Sequence, residues 1–376
     1  MQDRIYLDFN ASTPVAPEAA AALQKWLTEG YGNPSSPHWA AQAAKGTIDK
    51  ARGQVAHLLN AQPDEIVFTS GGTEAANTAI KGSFFKLGMP FHIVTTAIEH
   101  PATLQPCKFL ERLGAAVTIV GVQSDGRVDP EEIRKALRPE TKLIAIMHAN
   151  NETGVIQPVE EISAIAKTAG ALLYVDAAQS VGKIPVDVRA LGADLLAVAG
   201  HKLYAPKGVG ALFVRRGVEL ESFMHGAGHE SGRRAGTEAV AQIAALGAAC
   251  AVAERELMNM TLNVSRRCYL FWRHLQDGLG DRVVLLGHPK LRLPNTMFVS
   301  FVGMSGPEVL SRTPQIAAST GSACHTGDVK ASPVLLAMGV PPEVCRGAVR
   351  FSLGRTTTIE EIEAAAAMLR HAVGDG

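Results

Sequence analysis

The chain has no paired cysteine motif, no block of like charge and no apolar run of membrane-spanning length. Its five cysteines, at 107, 250, 268, 324 and 345, are odd in number and widely scattered. That pattern excludes a disulfide framework and a CxxC site. Thirty-six Lys and Arg balance 36 Asp and Glu, with no basic cluster of the kind a nucleic-acid surface needs. Apolar runs are broken by Gly, Lys or Asp well short of a bilayer span. The opening residues MQDRIYLDFN carry charge where a secretion signal would be apolar. These absences point to a cytoplasmic protein with neither a membrane nor a nucleic-acid partner. No Walker loop and no GxGxxG fingerprint stand in it either.

What is present is an α/β pattern. Of the 376 residues, 47% are apolar, enough for a large core and too many for one small one. Strand-like runs at 65–70, 92–97, 116–120, 143–148, 172–177, 195–200 and 210–214 alternate with helical stretches such as 131–137 and 160–170. Several runs are almost wholly apolar, as in strands buried on both faces. The alternation predicts a mostly parallel sheet covered by helices, with ligands beyond the carboxyl ends of its strands. After about residue 240 the pattern changes. An Ala-rich helical stretch at 239–257 leads to strands at 283–287, 295–302, 315–320 and 348–354, then a helix at 359–373. The expected division is a large domain over 15–255 and a smaller α+β domain formed by 1–14 and 256–376.

Several residues follow the predicted strands closely. In AVAGHKLYAPKGVGAL (197–212), Lys202 stands at a strand mouth among small residues. It reads either as an ordinary loop lysine or as a desolvated amine that forms a Schiff base. TSGGTEAAN (69–77) places Gly72 and Thr73 where a strand gives way to a helix. That is an N-cap or a phosphate cup. Asp176 ends a strand and reads as a helix cap or as an acid awaiting a cation. A phosphate cup, a Schiff-base lysine and an acid for a protonated ring nitrogen are together what pyridoxal phosphate requires. His100 is a satisfied loop histidine or a plane over a ring. Asn150 and Asn151 are turn formers or amide donors. Arg350 is a surface strand arginine or a clamp on a carboxylate. Cys324 lies among Gly, Ser and Ala in STGSACHTGD, unlike a buried structural thiol. Cys107, Cys250 and Cys268 fall in helical segments and read as structural, and Cys345 is open.

YLDFNAST, GNPSSPH, TSGGTEAAN, IEHPA, HANNETGVIQPV, VDAAQSVGK, GHKLYAPKGVGAL, GRRAGTE, STGSACHT and RFSLGRTTT follow one another over nearly the whole chain. In that order they resemble the class V, fold-type I pyridoxal phosphate enzymes, and among these the cysteine desulfurases and selenocysteine lyases. The resemblance implies a seven-stranded large domain, a smaller C-terminal domain and pyridoxal 5′-phosphate as cofactor. It implies that Lys202 bonds the cofactor and moves protons at the substrate Cα. Asp176 would keep the ring nitrogen protonated, Gln179 would bond the ring hydroxyl, and His100 would stack on the ring. Gly72, Thr73 and His201 would hold the phosphate. Thr237 would reach the phosphate of a partner subunit, implying a homodimer. Asn151 and Arg350 would hold the substrate carboxylate. Cys324 would take sulfur from L-cysteine as a persulfide, leaving alanine, and pass it to an acceptor protein. The alternative is release of selenide from L-selenocysteine. An aminotransferase needs no thiol such as Cys324, and a non-catalytic sulfur carrier needs no Lys202.

Three features depart from the desulfurase pattern. Ala199 stands where many desulfurases place a phosphate-binding serine. His325 and Ser332-Pro333 are similar to the lyases, yet Pro101 does not match an aspartate associated with selenium selectivity. The sequence given ends at Gly376, where housekeeping desulfurases continue into a tail that docks an iron–sulfur scaffold, and docking of that kind is left open.

Overall fold

The structure is a computed structural model. It describes residues 4–374 apart from 321, 322, 326 and 327, and for 323–325 and 328–330 it describes the backbone alone. In chain order, β1 (Ile5–Tyr6) precedes α1 (Pro17–Thr28) and α2 (Trp39–Leu58). There follow β2 (Ile66–Thr69), α3 (Gly72–Leu87), β3 (His92–Thr96), α4 (Pro101–Glu111), β4 (Ala116–Val120) and α5 (Pro130–Lys135). Next come β5 (Thr141–Met147), α6 (Val159–Ala169), β6 (Leu172–Asp176), β7 (Leu195–Ala199) and β8 (Gly210–Val214).

Strands β2 to β8 form one seven-stranded sheet in the order β2-β8-β7-β6-β5-β3-β4. β8 runs antiparallel to β2 and β7, and the remaining pairs are parallel. Each predicted run of the large domain is a strand. Residues 143–146, 173–175 and 195–198 are almost wholly shut from solvent, as strands covered on both faces must be. The carboxyl ends of β2, β3, β5, β6 and β7 therefore meet at one edge.

α7 (Val240–Leu279) is one helix of 40 residues, more than twice the predicted stretch. Its first half packs in the core beneath the large sheet, through Ile243, Leu246 and Cys250. Its second half packs in a separate core through Val264, Phe271 and Leu275. No proline interrupts it, so the helix continues while its apolar stripe changes partner. Gly247 lets it approach α2, since a Cβ there would lie 2.6 Å from Ala51 Cα.

The second core is built on β9 (Val283–Leu285), β10 (Thr296–Phe301), β11 (Ile316–Ala317) and β12 (Ser319–Thr320), with α8 (Gly306–Arg312) between β10 and β11. A backbone hairpin, β13 (Ala323–His325) and β14 (Asp328–Lys330), pairs Cys324 with Val329 in register. α9 (Pro333–Ala337), α10 (Pro342–Arg346), β15 (Ala348–Ser352) and α11 (Ile359–Gly374) complete it. The predicted strand at 315–320 is two strands: β11 pairs with β1, while β12 pairs with β15. The pairing of β1 with β11 carries the N-terminal residues onto this core. Among the described residues, no helix is long and apolar enough to cross a membrane.

A buried ion pair braces β2. Arg52 donates to both carboxylate oxygens of Glu230 at 2.7 and 2.8 Å, and Glu230 also accepts from Phe68 N–H at 2.9 Å. The Glu230 side chain is only 2% exposed. Arg52→Ala leaves that carboxylate buried and unpaired, so the expected loss is about 3–5 kcal/mol, read as a lower urea midpoint at unchanged m-value.

Candidate active site

The ends of β2, β3, β5, β6 and β7 and the N-terminal segment enclose a cavity of about 370 Å³, lined among others by Thr73, His100, Asp176, Gln179, Lys202 and Arg350. Gly72, His201 and Asn151 also reach it. The structure thus brings together most of the candidate residues. Thr237 does not line the cavity, but lies exposed on the loop before α7. That loop is tied to α3 by Arg234, which donates to Glu74 at 2.9 Å. The side chain of Cys324 lies outside the described residues.

Lys202 follows β7 on a short 3₁₀ turn. Its Nζ donates to the carbonyls of Asn10 at 2.5 Å and Ala11 at 2.8 Å. Burial, then the nearby Arg350 cation, pulls its pKa down to about 8, against the attraction of Asp8 and Asp176. Asp176 closes β6 and is 8% exposed. It accepts from Ala178 N–H at 2.9 Å, and among the described residues it forms no ion pair. Burial raises its pKa. A carboxylate in this position is completed by a cation.

His100 caps α4, its Nδ1 accepting from Ala102 N–H at 3.1 Å. The ring proton is thereby assigned to Nε2. Burial of the imidazole lowers its pKa, with Asp176 and Lys202 acting in opposite senses, so the ring stays neutral. His201 is likewise depressed to about 4, by burial and then by Lys202. At the end of β2, Gly71 adopts φ +150° and opens α3. The first-turn N–H groups of α3 have no intrahelical acceptors and face an anion well. Gly210 keeps this turn close to β8, because a Cβ there would stand 2.4 Å from Val198 O and 2.7 Å from Gly71 Cα.

The two asparagines separate. Asn150 is wholly buried and shapes its own turn, accepting from Glu152 N–H and Thr153 N–H at 2.9 Å each. Asn151 faces the cavity. Arg350 is buried rather than on the surface, at 8% exposure. It donates to Asp8 Oδ1 at 2.7 Å, Ser319 Oγ at 3.0 Å and Asn151 O at 2.9 Å. Gln179 is already engaged, donating to Asn10 O at 3.0 Å and accepting from Lys183 Nζ at 2.6 Å. Asp8, Asn10 and Lys183 are functional neighbours that the sequence did not single out. Asp8 and Asn10 lie far from the cavity's other residues in sequence, and no spacing links them to it. Cys107, Cys250 and Cys345 are buried, and burial pushes the Cys107 and Cys250 thiols up to about 12 and that of Cys268 to about 11. Those are inert thiols.

Residues 5–365 match the family model for aminotransferase class-V proteins. A curated relative from Dictyoglomus turgidum, cysteine desulfurase IscS, is 43% identical over 365 residues, covering 96% of this chain and 92% of its own. A solved NifS-like protein superposes with a TM-score of 0.93 at 34% identity, covering 99% of this chain and 100% of its own. The structure of SspA in complex with cysteine aligns with a TM-score of 0.81 at 34% identity, over 94% of this chain and 100% of its own. The chain belongs to the class-V aminotransferase family of fold-type I enzymes. Within it, the chain sits in the cysteine desulfurase branch.

The cofactor of this family is pyridoxal 5′-phosphate, and the residues present fit it. An uncompensated buried carboxylate suits a protonated ring nitrogen, a low-pKa lysine suits a carbonyl carbon, and an open helix N-terminus suits a phosphate.

Proposed function

We propose that this enzyme converts L-cysteine to L-alanine and retains the sulfur as a persulfide on Cys324. The observation that carries the reading is Lys202 Nζ, depressed to about 8, sharing one cavity with Asp176, His100 and Arg350. Gly72, Thr73 and His201 would hold the cofactor phosphate, Asp176 its ring nitrogen and Gln179 its hydroxyl. Once bound, the cofactor supplies an electron sink for charge developed at the substrate Cα.

The protein's own groups do the rest. Arg350 turns its guanidinium toward the substrate carboxylate, held in orientation by Asp8, and Asn151 stands beside it. Lys202 as a free amine takes the Cα proton and returns one. His100 would pack over the ring face and, with its proton on Nε2, would exchange protons near the substrate. The Cys324 thiolate attacks the substrate sulfur, and the Cβ–S bond breaks with its electron pair left on carbon. A proton then completes the alanine methyl, so sulfur leaves as persulfide without an outside oxidant.

Thr237, exposed on its loop, supports a homodimer in which it reaches the partner's phosphate. A cytosolic location and a sulfur-acceptor protein complete the reading. Ala199 favours a second substrate, L-selenocysteine, because it removes the same hydroxyl that the lyases lack. Alanine measured from L-cysteine and from L-selenocysteine, in parallel, tests both. Equal or greater turnover of L-cysteine is expected. Alanine from selenocysteine alone overturns the desulfurase reading.

A further inference from the structure

Behind the cavity wall lies a buried polar layer that the proposed chemistry leaves unused. Thr95 of β3 and Tyr174 of β6 stand in register across Ala145 of β5. Thr103 and Cys107 cover this face from the buried side of α4. Glu99, one residue before His100, folds its carboxyl into the same layer and is 5% exposed. Its Oε1 accepts twice, from Thr96 Oγ1 at 2.7 Å and from Met147 N–H at 3.0 Å. Its Oε2 and Thr95 Oγ1 have no partner among the described residues, while the Tyr174 hydroxyl faces Thr103. The titratable groups around Glu99 are Asp176 and Tyr174 on β6 and Cys107 on α4.

That asymmetry identifies the protonation state. An ionised carboxylate spreads its charge over both oxygens, and here one of them is buried without a donor. A neutral acid fits: Oε1 is the carbonyl oxygen that accepts twice, and a proton on Oε2 leaves no charge buried without a donor. Burial, reinforced by the Asp176 charge, pushes the Glu99 pKa up to about 8, in the same direction.

We propose that Glu99 is a positioning residue held as a neutral carboxylic acid. Its Oε1 ties the end of β5 to the turn that presents His100. Its protonated Oε2 keeps a second negative charge away from Asp176, whose charge acts on it. Asp176 then remains the sole anion on that wall. This assignment rests on the reading of His100 and Asp176 as cofactor contacts, but the protonation of Glu99 does not.

Difference infrared spectroscopy of the holoenzyme tests it, wild type minus Glu99→Gln, at neutral pH. A neutral-acid carbonyl band that shifts in D₂O is expected, and carboxylate bands in its place overturn the proposal. In wild type alone the band should fade as pH passes about 8, a titration that needs no variant to fold. The positioning role is read from the pH midpoint of the bound cofactor's visible absorption. Glu99→Ala should displace that midpoint and Glu99→Gln should restore it. A midpoint indifferent to Glu99→Ala removes the positioning role. If Asp176→Asn also leaves the cofactor spectrum unchanged while the acid band persists, the reading of Asp176 fails and the neutral Glu99 stands.

Discussion

Lys202→Ala lowers alanine production by roughly four orders of magnitude or more, and borohydride no longer fixes the cofactor to the protein. The variant should still fold, because Lys202 contributes hydrogen bonds only to the carbonyls of Asn10 and Ala11, which water can replace. The pH dependence of wild-type apoenzyme sharpens the test. Bonding to a carbonyl carbon requires the neutral amine. With its pKa lowered to about 8, Lys202 loses roughly tenfold in neutral fraction for each pH unit below that value. Covalent capture of added cofactor, followed by absorbance, should therefore rise with pH and level off above about 8. An ordinary lysine would keep accelerating past pH ~10. Capture that still climbs beyond pH ~9 would mean that burial and Arg350 do not depress the amine. A borohydride-stable adduct in Lys202→Ala would move the cofactor bond to another residue.

The legibility of this site follows the physics of its parts. Most strands of the large sheet could be read because they are buried on both faces and write apolar runs, as at Leu195–Ala199, while edge strand β4 showed through its apolar run alone. Lys202, Asp176 and His100 could be read because they follow such runs, where α/β sheets place their ligands. The N-terminal half of the site could not. Asn10 reaches the cavity, and Asp8 reaches Arg350, through the pairing of β1 with β11, a contact between Ile5 and Ile316, and no local periodicity encodes so distant a partner. Asn10 shows how much was hidden in that way. One buried side chain meets Lys183 at 2.8 Å, Thr296 at 2.8 Å and Asn295 at 3.0 Å, while its carbonyl meets Lys202 and Gln179. It joins both cores at the reactive amine. The full length of α7 escaped for a related reason: its apolar stripe serves two cores in turn, so composition shifts midway although the helix does not break. Arg350 was ambiguous alone because a strand arginine takes its meaning from Asp8 and Ser319, which only the fold supplies.

Cys324→Ala separates sulfur transfer from the earlier chemistry. The variant is expected to bind cofactor with an unchanged visible spectrum, since none of the described cofactor contacts involves residue 324. Alanine from L-cysteine should fall by about 10³-fold or more, and no persulfide should be found on the protein. The reason lies in where the electrons go. The Cβ–S bond breaks to leave its electron pair on carbon only if another nucleophile takes the sulfur. The other thiols cannot substitute: Cys107 and Cys250 are buried with pKa values of about 12, Cys268 has one of about 11, and Cys345 is buried with its pKa raised by burial. The backbone pairing of Cys324 with Val329 puts the thiol on a short hairpin joined to β12, an element that pairs with β15 beside Arg350. The hairpin is a two-stranded sheet of its own, and it follows in sequence the strand that pairs with the one carrying the carboxylate clamp. L-Selenocysteine supplies the contrast, because its weaker carbon–selenium bond places less demand on an attacking thiolate. Retained selenocysteine turnover in Cys324→Ala, with cysteine turnover lost, would assign Cys324 to sulfur transfer specifically. Equal loss on both substrates would instead make the thiol part of the shared proton-transfer chemistry. Undiminished alanine from L-cysteine would remove it from the mechanism.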